Sequence, residues 1–232
     1  MQNAKLDIMQ TIQDGMQYGI QNFVALILMM FLYVITVWIP WLNVGTTIGL
    51  YKAIIGIGRG EVINPTSIFA RENFTNVGSF FLLQGFVTIG ITAAIIFMFV
   101  PAIVMGIAWG FAIFFLIDKK VSPLKALGLS YDATYGNKWR IFFLETICSI
   151  CIGVITVVLG LIPVAGGVLS FIASLLCTAI FVAIMGVMYD FFSKKADAIL
   201  AANQAKCTCE APAAEPAAEP APEPAAEPAP EA

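Results

Sequence analysis

The sequence predicts an all-α polytopic membrane helix bundle: six transmembrane helices arranged as three hairpins, each preceded by an interfacial amphipathic helix. Three observations lead there. Hydrophobic residues fill 59% of the 232 positions, charged residues only 12%, and the mean hydropathy is +0.88, more apolar surface than a water-soluble domain of this size can hide. Charges then divide the chain into three uncharged stretches, 15–51, 73–117 and 146–189, each with room for two spans of about 20 residues. Each stretch carries one proline near its middle, Pro40, Pro101 and Pro163, and their spacings of 61 and 62 residues suggest an internal repeat.

The first repeat unit covers about 1–60. Leu6, Met9, Ile12, Met16 and Ile20 recur at helical spacing, as in a helix lying in the interface plane. Spans are expected near 22–39 and 42–58, with an external turn at Pro40. The second unit, 61–121, opens with Asn64-Pro65, a capping side chain followed by proline at the first helical position, and continues through Ile68 and Phe69. Its spans are expected near 78–99 and 102–117, turning at Pro101. The third unit, 122–195, opens with Ser122-Pro123, runs through Leu124, Leu127, Tyr131 and Tyr135, and stops at Gly136. Its spans are expected near 139–162 and 165–190, turning at Pro163.

Gly45 and Gly49 follow Pro40 at the offsets at which Gly106 and Gly110 follow Pro101. Small residues four apart let helix backbones approach in lipid, so these four glycines are expected to be helix-packing positions. The third copy is looser, with Gly166, Gly167, Ser170 and Ser174.

Orientation follows from the basic residues. With the N-terminus inside, the cytoplasmic side holds Lys5, Arg59, Arg71, Lys119, Lys120, Lys125, Lys138, Arg140, Lys194, Lys195 and Lys206, and the external turns hold no Lys or Arg. The second span is short and carries Thr46, Thr47 and Lys52. Were it a re-entrant loop, every later connection would invert and only Lys5 would stay inside, so it is kept as a span. Trp38, Trp41 and Trp139 stand where interface aromatics belong. The location implied is the cytoplasmic (inner) membrane, multi-pass, with both termini cytoplasmic. The first 21 residues are polar, and no small-residue cleavage site follows the first apolar run, so no processing is expected.

The segment 201–232 is rich in Ala, Glu and Pro and lacks an aromatic or branched aliphatic residue, so it is expected to be a disordered cytoplasmic tail. It holds six of the fifteen acidic residues, which accounts for the net charge of −3; the body, 1–200, leans basic. The tail is either an inert spacer or a docking segment for a cytoplasmic protein.

The chemistry that the residues exclude is informative. Without a histidine there is no imidazole base, no Ser-His pair and no His-ligated metal. Gly56-Ile57-Gly58-Arg59-Gly60 lacks the terminal lysine and preceding strand of a phosphate loop. Cys148 and Cys151 form a Cys-x-x-Cys inside an apolar run with no second pair, and buried cysteine as a small hydrophobe is the default reading; Cys177, Cys207 and Cys209 complete the set. No catalytic residue, metal, cofactor or nucleic-acid partner is expected. Membrane lipids are the partners implied, with a membrane or cytoplasmic protein partner left open.

Two charges fall inside expected spans, Lys52 and Glu145, each about 10 Å from its cytoplasmic end at 1.5 Å per residue. Intramembrane charges are functional candidates by default. The pair is expected to meet between helices, the alternative being that each snorkels separately to the interface.

Three segments carry a family resemblance: Arg59-Gly60-Glu61 after the second span, SPLKALGLSYDATYGNKWRIFF from 122 to 143, and the IPVAGG turn after the fifth span. Across about 1–195 the arrangement resembles the uncharacterised bacterial six-helix membrane proteins related to the membrane domain fused to some glycerophosphoryl diester phosphodiesterases. The resemblance implies a membrane fold and no catalytic position, since nothing here matches the soluble diesterase domain. The function expected is that of a non-enzymatic envelope or accessory protein. The alternative is a small transporter or permease for a lipid-like or amphiphilic substrate, with an intramembrane enzyme the remotest reading.

Overall fold

The computed structural model describes residues 5–97, 99–162 and 166–209, and over these the chain forms nine α-helices and two 3-10 turns, with no strand. The helices are α1 (Ile8–Gln21), α2 (Phe23–Thr36), α3 (Pro40–Gly58), α4 (Val77–Phe97), α5 (Phe99–Trp109), α6 (Ala112–Lys119), α7 (Pro123–Thr134), α8 (Lys138–Gly160) and α9 (Gly166–Cys209). Pro163 and 210–232 of the expected tail lie outside the described residues.

Local chemistry sets several boundaries. Asp7 caps α1, its carboxylate accepting from the Met9 and Gln10 amides at 3.0 and 3.3 Å. Pro40 is the first residue of α3, and Pro101 sits in the first turn of α5, where a missing amide hydrogen costs nothing. Asn64 accepts from the Thr66 amide at 3.1 Å, as its sequence position predicts, and Gly136 takes φ +82° just past α7. Pro123 opens α7, although the Ser122 side chain makes no capping bond.

Among the described residues, four stretches are long and apolar enough to cross a membrane: Val77–Ile96, Val100–Lys119, Lys138–Gly160 and Gly166–Ala202. A fifth is available if α1 and α2, bent by 78° at Asn22, count together. The expected pair of spans at 22–39 and 42–58 is not found in that form. The bend leaves α2 only 14 residues, about 21 Å of helix, and α3 mixes its apolar residues with Thr46, Thr47 and Lys52.

The elements that lead each unit differ from one another. The first is α1 and the third is α7, but the second is only the two 3-10 turns, Pro65–Phe69 and Arg71–Phe74. Ala70 between them is extended, with ψ 132°, and breaks the helix. At the other end of the chain, α9 runs to Cys209, nine residues into the segment expected to be tail. Positions 201–209 hold no proline, and the first lies at Pro212, so nothing local stops the helix.

The long helix α9 is the hub, touching α1, α2, α3, α7 and α8. Around its second half lies an aromatic core: Tyr189 stacks on Phe114 at 5.1 Å and meets Phe115 edge-on at 5.2 Å, while Phe111 and Phe192 pack at 5.2 Å. Side chains from the C-terminal ends of α3 and α6 and the N-terminal ends of α1 and α8 gather around this core. Many of the basic residues lie at this end, here called the basic end. Beyond it α4 and α8 splay, leaving Leu82, Ile89, Ile96, Val154, Val157 and Leu161 exposed. In lipid, which is as apolar as these side chains, no hydrophobic drive would close the far end.

The closest backbone approaches use glycines other than those expected. In α1, Gly15 and Gly19 lie against Ile184 and Ala183 of α9, while Met9, Met16 and Ile20 point outward. A Cβ on Gly58 would overlap the Gly186 carbonyl, so α3 and α9 cross backbone to backbone. Gly45 and Gly49 are close-packed, but against Phe74 and Ile68 of the 3-10 turns and not against a spanning helix. A Cβ on Gly106 would meet nothing within 4 Å, and one on Gly110 only the Gly106 and Ile107 carbonyls of α5, so neither packs against another helix of this chain.

Candidate functional site

The basic end is built around α3. Its last turns carry Lys52 and Arg59 toward the C-terminal end of α6, where the last apolar turn gives way to Asp118, Lys119 and Lys120. Asp118 is the centre of the charge network. Arg59 Nη2 donates to its two oxygens at 2.8 and 2.7 Å, and the Tyr189 hydroxyl donates to Oδ2 at 2.8 Å. Lys119 Nζ lies 3.7 Å from Asp118 and 2.8 Å from Asp197. Burial alone would lower the Arg59 pKa, but the hydrogen bonds and charge of Asp118 outweigh it and raise the value, so Arg59 stays cationic. One carboxylate thus joins α3, α6 and α9.

Two cavities flank Lys52. The larger, about 340 Å³, lies between α3, the segment entering α4 and the end of α6, and its polar lining is Lys52, Glu72, Thr75, Asn76, Ser79 and Lys120. The smaller, about 210 Å³, brings Lys52 together with Arg59, Glu61 and Asp118. Neither Lys52 nor Lys120 has an ion pair or hydrogen bond to a described residue, whereas Arg59, Lys119 and Lys194 are each paired with an aspartate. Lys120 adopts the left-handed conformation, φ 50° and ψ 34°, that ends α6.

Glu145 lies elsewhere. It lines an open cleft of about 550 Å³ between α5 and α8, with Gly106, Ile107, Thr146 and Ser149. Lys52 and Glu145 share no cavity, and no ion pair joins them among the described residues. The expected interhelical pair is therefore not formed within the chain. Equal depth from the cytoplasmic ends placed them at one level, but α3 presents Lys52 to α6 and the entry of α4, and α8 presents Glu145 to α5.

The network that does form was hidden in the sequence. Asp118 stands beside Lys119 and Lys120, so it reads as part of a basic flank, and Tyr189 reads as a residue of an apolar span. The available signal was a lone carboxylate closing an apolar run. Cys148 is buried and Cys151 exposed on α8, both as free thiols, and no group of three or more potential metal ligands occurs among the described residues.

Comparison with known proteins yields no relative. No family model, curated protein or solved structure matches the chain. The chain's own geometry offers a net positive, partly enclosed polar cavity at the edge of two apolar stretches, Val77–Ile96 and Val100–Lys119. Apolar side chains such as Ile48, Phe80 and Leu116 complete its wall, so it suits a ligand with a polar head and an apolar body.

Proposed function

We propose that the chain is a multi-pass protein of the cytoplasmic membrane, crossing six times with both termini inside, that works without catalysis as an envelope or accessory protein by holding an amphiphile at the cytoplasm-facing interface. The observation that carries this reading is the cavity between Lys52 and Lys120, which combines two unpaired cations with an apolar rim. The distribution of Lys and Arg supports the orientation, since the expected external turns hold neither. Six crossings require α2 and α3 to be accepted as a short first pair.

A second reading, a permease for a lipid-like substrate, draws on the open cleft that holds Glu145 at membrane depth. A photoreactive amino acid at position 79, inside the cavity, tests the first reading. It is expected to cross-link a membrane amphiphile in living cells, whereas the same group at Lys125, an exposed position of α7, is not. Equal labelling at the two positions overturns it. Flux of an amphiphile across reconstituted vesicles, lost on Glu145→Gln, would favour the permease. Cysteines at 40 and 101 should label from outside, and those at 65 and 125 from inside; an external label at 125 overturns the orientation.

A further inference from the structure

The cavity's chemistry narrows the ligand. Its walls come from three separate stretches: α3 gives Lys52, the entry to α4 gives Glu72, Thr75, Asn76 and Ser79, and Lys120 follows α6. Two lysines and one glutamate line the cavity, and neither lysine is in an ion pair with a described residue, although Lys52 also borders the smaller cavity that holds Glu61 and Asp118. The Thr75 hydroxyl is already committed, donating to the Glu72 carbonyl at 2.7 Å. Ser79 and the Asn76 amide have no described partner and remain as neutral donors. Four donor groups of this kind, two of them cationic, suit a tetrahedral oxyanion, to which lysine binds as a point charge.

The backbone at Lys120 adds an independent observation. A residue with a Cβ in the left-handed region carries a strain of about 1 kcal/mol, and glycine or asparagine is the usual occupant. Lysine here places an ammonium on the cavity wall, unlike Lys119 beside it, which turns to Asp197. The position also fits the source of the ligand. The cavity sits where α4 begins and α6 ends, so in a bilayer it lies at the level of the lipid headgroups, and a volume of about 340 Å³ accommodates a headgroup but not a whole lipid.

We infer that the cavity bounded by Lys52, Asn76, Ser79 and Lys120 is a binding site for a phosphate group, as presented by an anionic lipid headgroup or by a free phosphate ester. This rests on the reading of the cavity as a ligand site. The phosphoryl oxygens accept from the two ammonium groups, the serine hydroxyl and the asparagine amide, while the apolar rim receives the start of an acyl or glyceryl body.

The test uses the full chain in a maltoside detergent, with native mass spectrometry counting bound lipid as phosphatidic acid or the phosphate-free glucosyl diacylglycerol is titrated in. Phosphatidic acid is expected to be retained in preference, and Lys52→Gln and Lys120→Asn are each expected to lower its retention about tenfold, the loss of one charge-assisted hydrogen bond. Asparagine tolerates the left-handed conformation, so Lys120→Asn removes the charge without disturbing the backbone, and an unchanged thermal midpoint verifies this. Lys125→Gln, outside the cavity, is expected to leave retention within about twofold.

Inorganic phosphate and glycerol 3-phosphate form the soluble arm. Displacement of the lipid by either identifies the phosphoryl group as the element recognised and admits a free ester as ligand; lipid that stays in place assigns the site to headgroups. If the glycolipid is retained as well as phosphatidic acid and the lysine variants change neither, the phosphate assignment fails while the cavity stands as an amphiphile site. If no form of the protein retains either lipid or responds to a soluble phosphate, the reading of the cavity itself fails.

Discussion

Asp118 Oδ2 lies 2.7 Å from Arg59 Nη2 and 2.8 Å from the Tyr189 hydroxyl, so one carboxylate oxygen serves both the C-terminal cap of α3 and the middle of α9. The three groups are not equally exposed. The Asp118 side chain is 12% exposed and that of Arg59 38%, so the carboxylate depends on its partners more than the guanidinium does.

That asymmetry orders a mutation series. Asp118→Asn weakens the bonds from Arg59 and Tyr189 together and is expected to destabilise by about 2 kcal/mol. Arg59→Gln should lose less, about 1 kcal/mol, because a partly exposed ion pair is screened by water and the Tyr189 bond survives. Tyr189→Phe keeps the ring against Phe114 and Phe115 and removes one hydroxyl bond, again about 1 kcal/mol. Denaturation midpoints in one detergent measure the order, and a greater loss for Arg59→Gln than for Asp118→Asn contradicts it.

The glycines separate by contact, not by spacing. Gly186→Ala and Gly58→Ala would each drive a methyl into the facing backbone, and each is expected to destabilise by about 1 to 3 kcal/mol through overpacking. Gly106→Ala meets open space and should change stability by no more than about 1 kcal/mol, with alanine's helix preference favouring a gain. Thermal unfolding of the three variants compares them directly. A loss at Gly106 equal to that at Gly186 would show that α5 packs on a partner through its small face.

Lys52 and Glu145 are expected to behave independently. Cysteines at the two positions should not cross-link within one chain, since they line different cavities. The exchange Lys52→Glu with Glu145→Lys should be no better than the sum of the single changes in membrane accumulation. Recovery in the double variant would show that the two charges meet.

Much of the architecture was legible one residue at a time. The apolar composition points to helices suited to lipid, where each amide is satisfied within its own segment. Asn64 caps the turn that follows α3, Pro123 opens α7 and Gly136 takes the positive φ that ends the segment, all through interactions within a few residues of chain, while Pro40, expected in a turn, opens α3. The bend at Asn22 was not legible, since its side chain is held from afar: it accepts from the Ile63 amide at 3.0 Å and donates to the Glu61 carbonyl at 3.2 Å.

The sequence by itself determined that the chain is helical, apolar and basic toward one end, and where most helices begin. Only the tertiary structure decided which faces meet: Gly15 and Gly19 against α9, Gly58 against Gly186, Asp118 between Arg59 and Tyr189, and Lys52 apart from Glu145. The physical reason is that a helix apolar on all sides carries no hydropathy stripe to mark its packed face. In lipid the choice of face falls to close backbone approach and a few polar contacts, and those are set by distances between residues far apart in the chain.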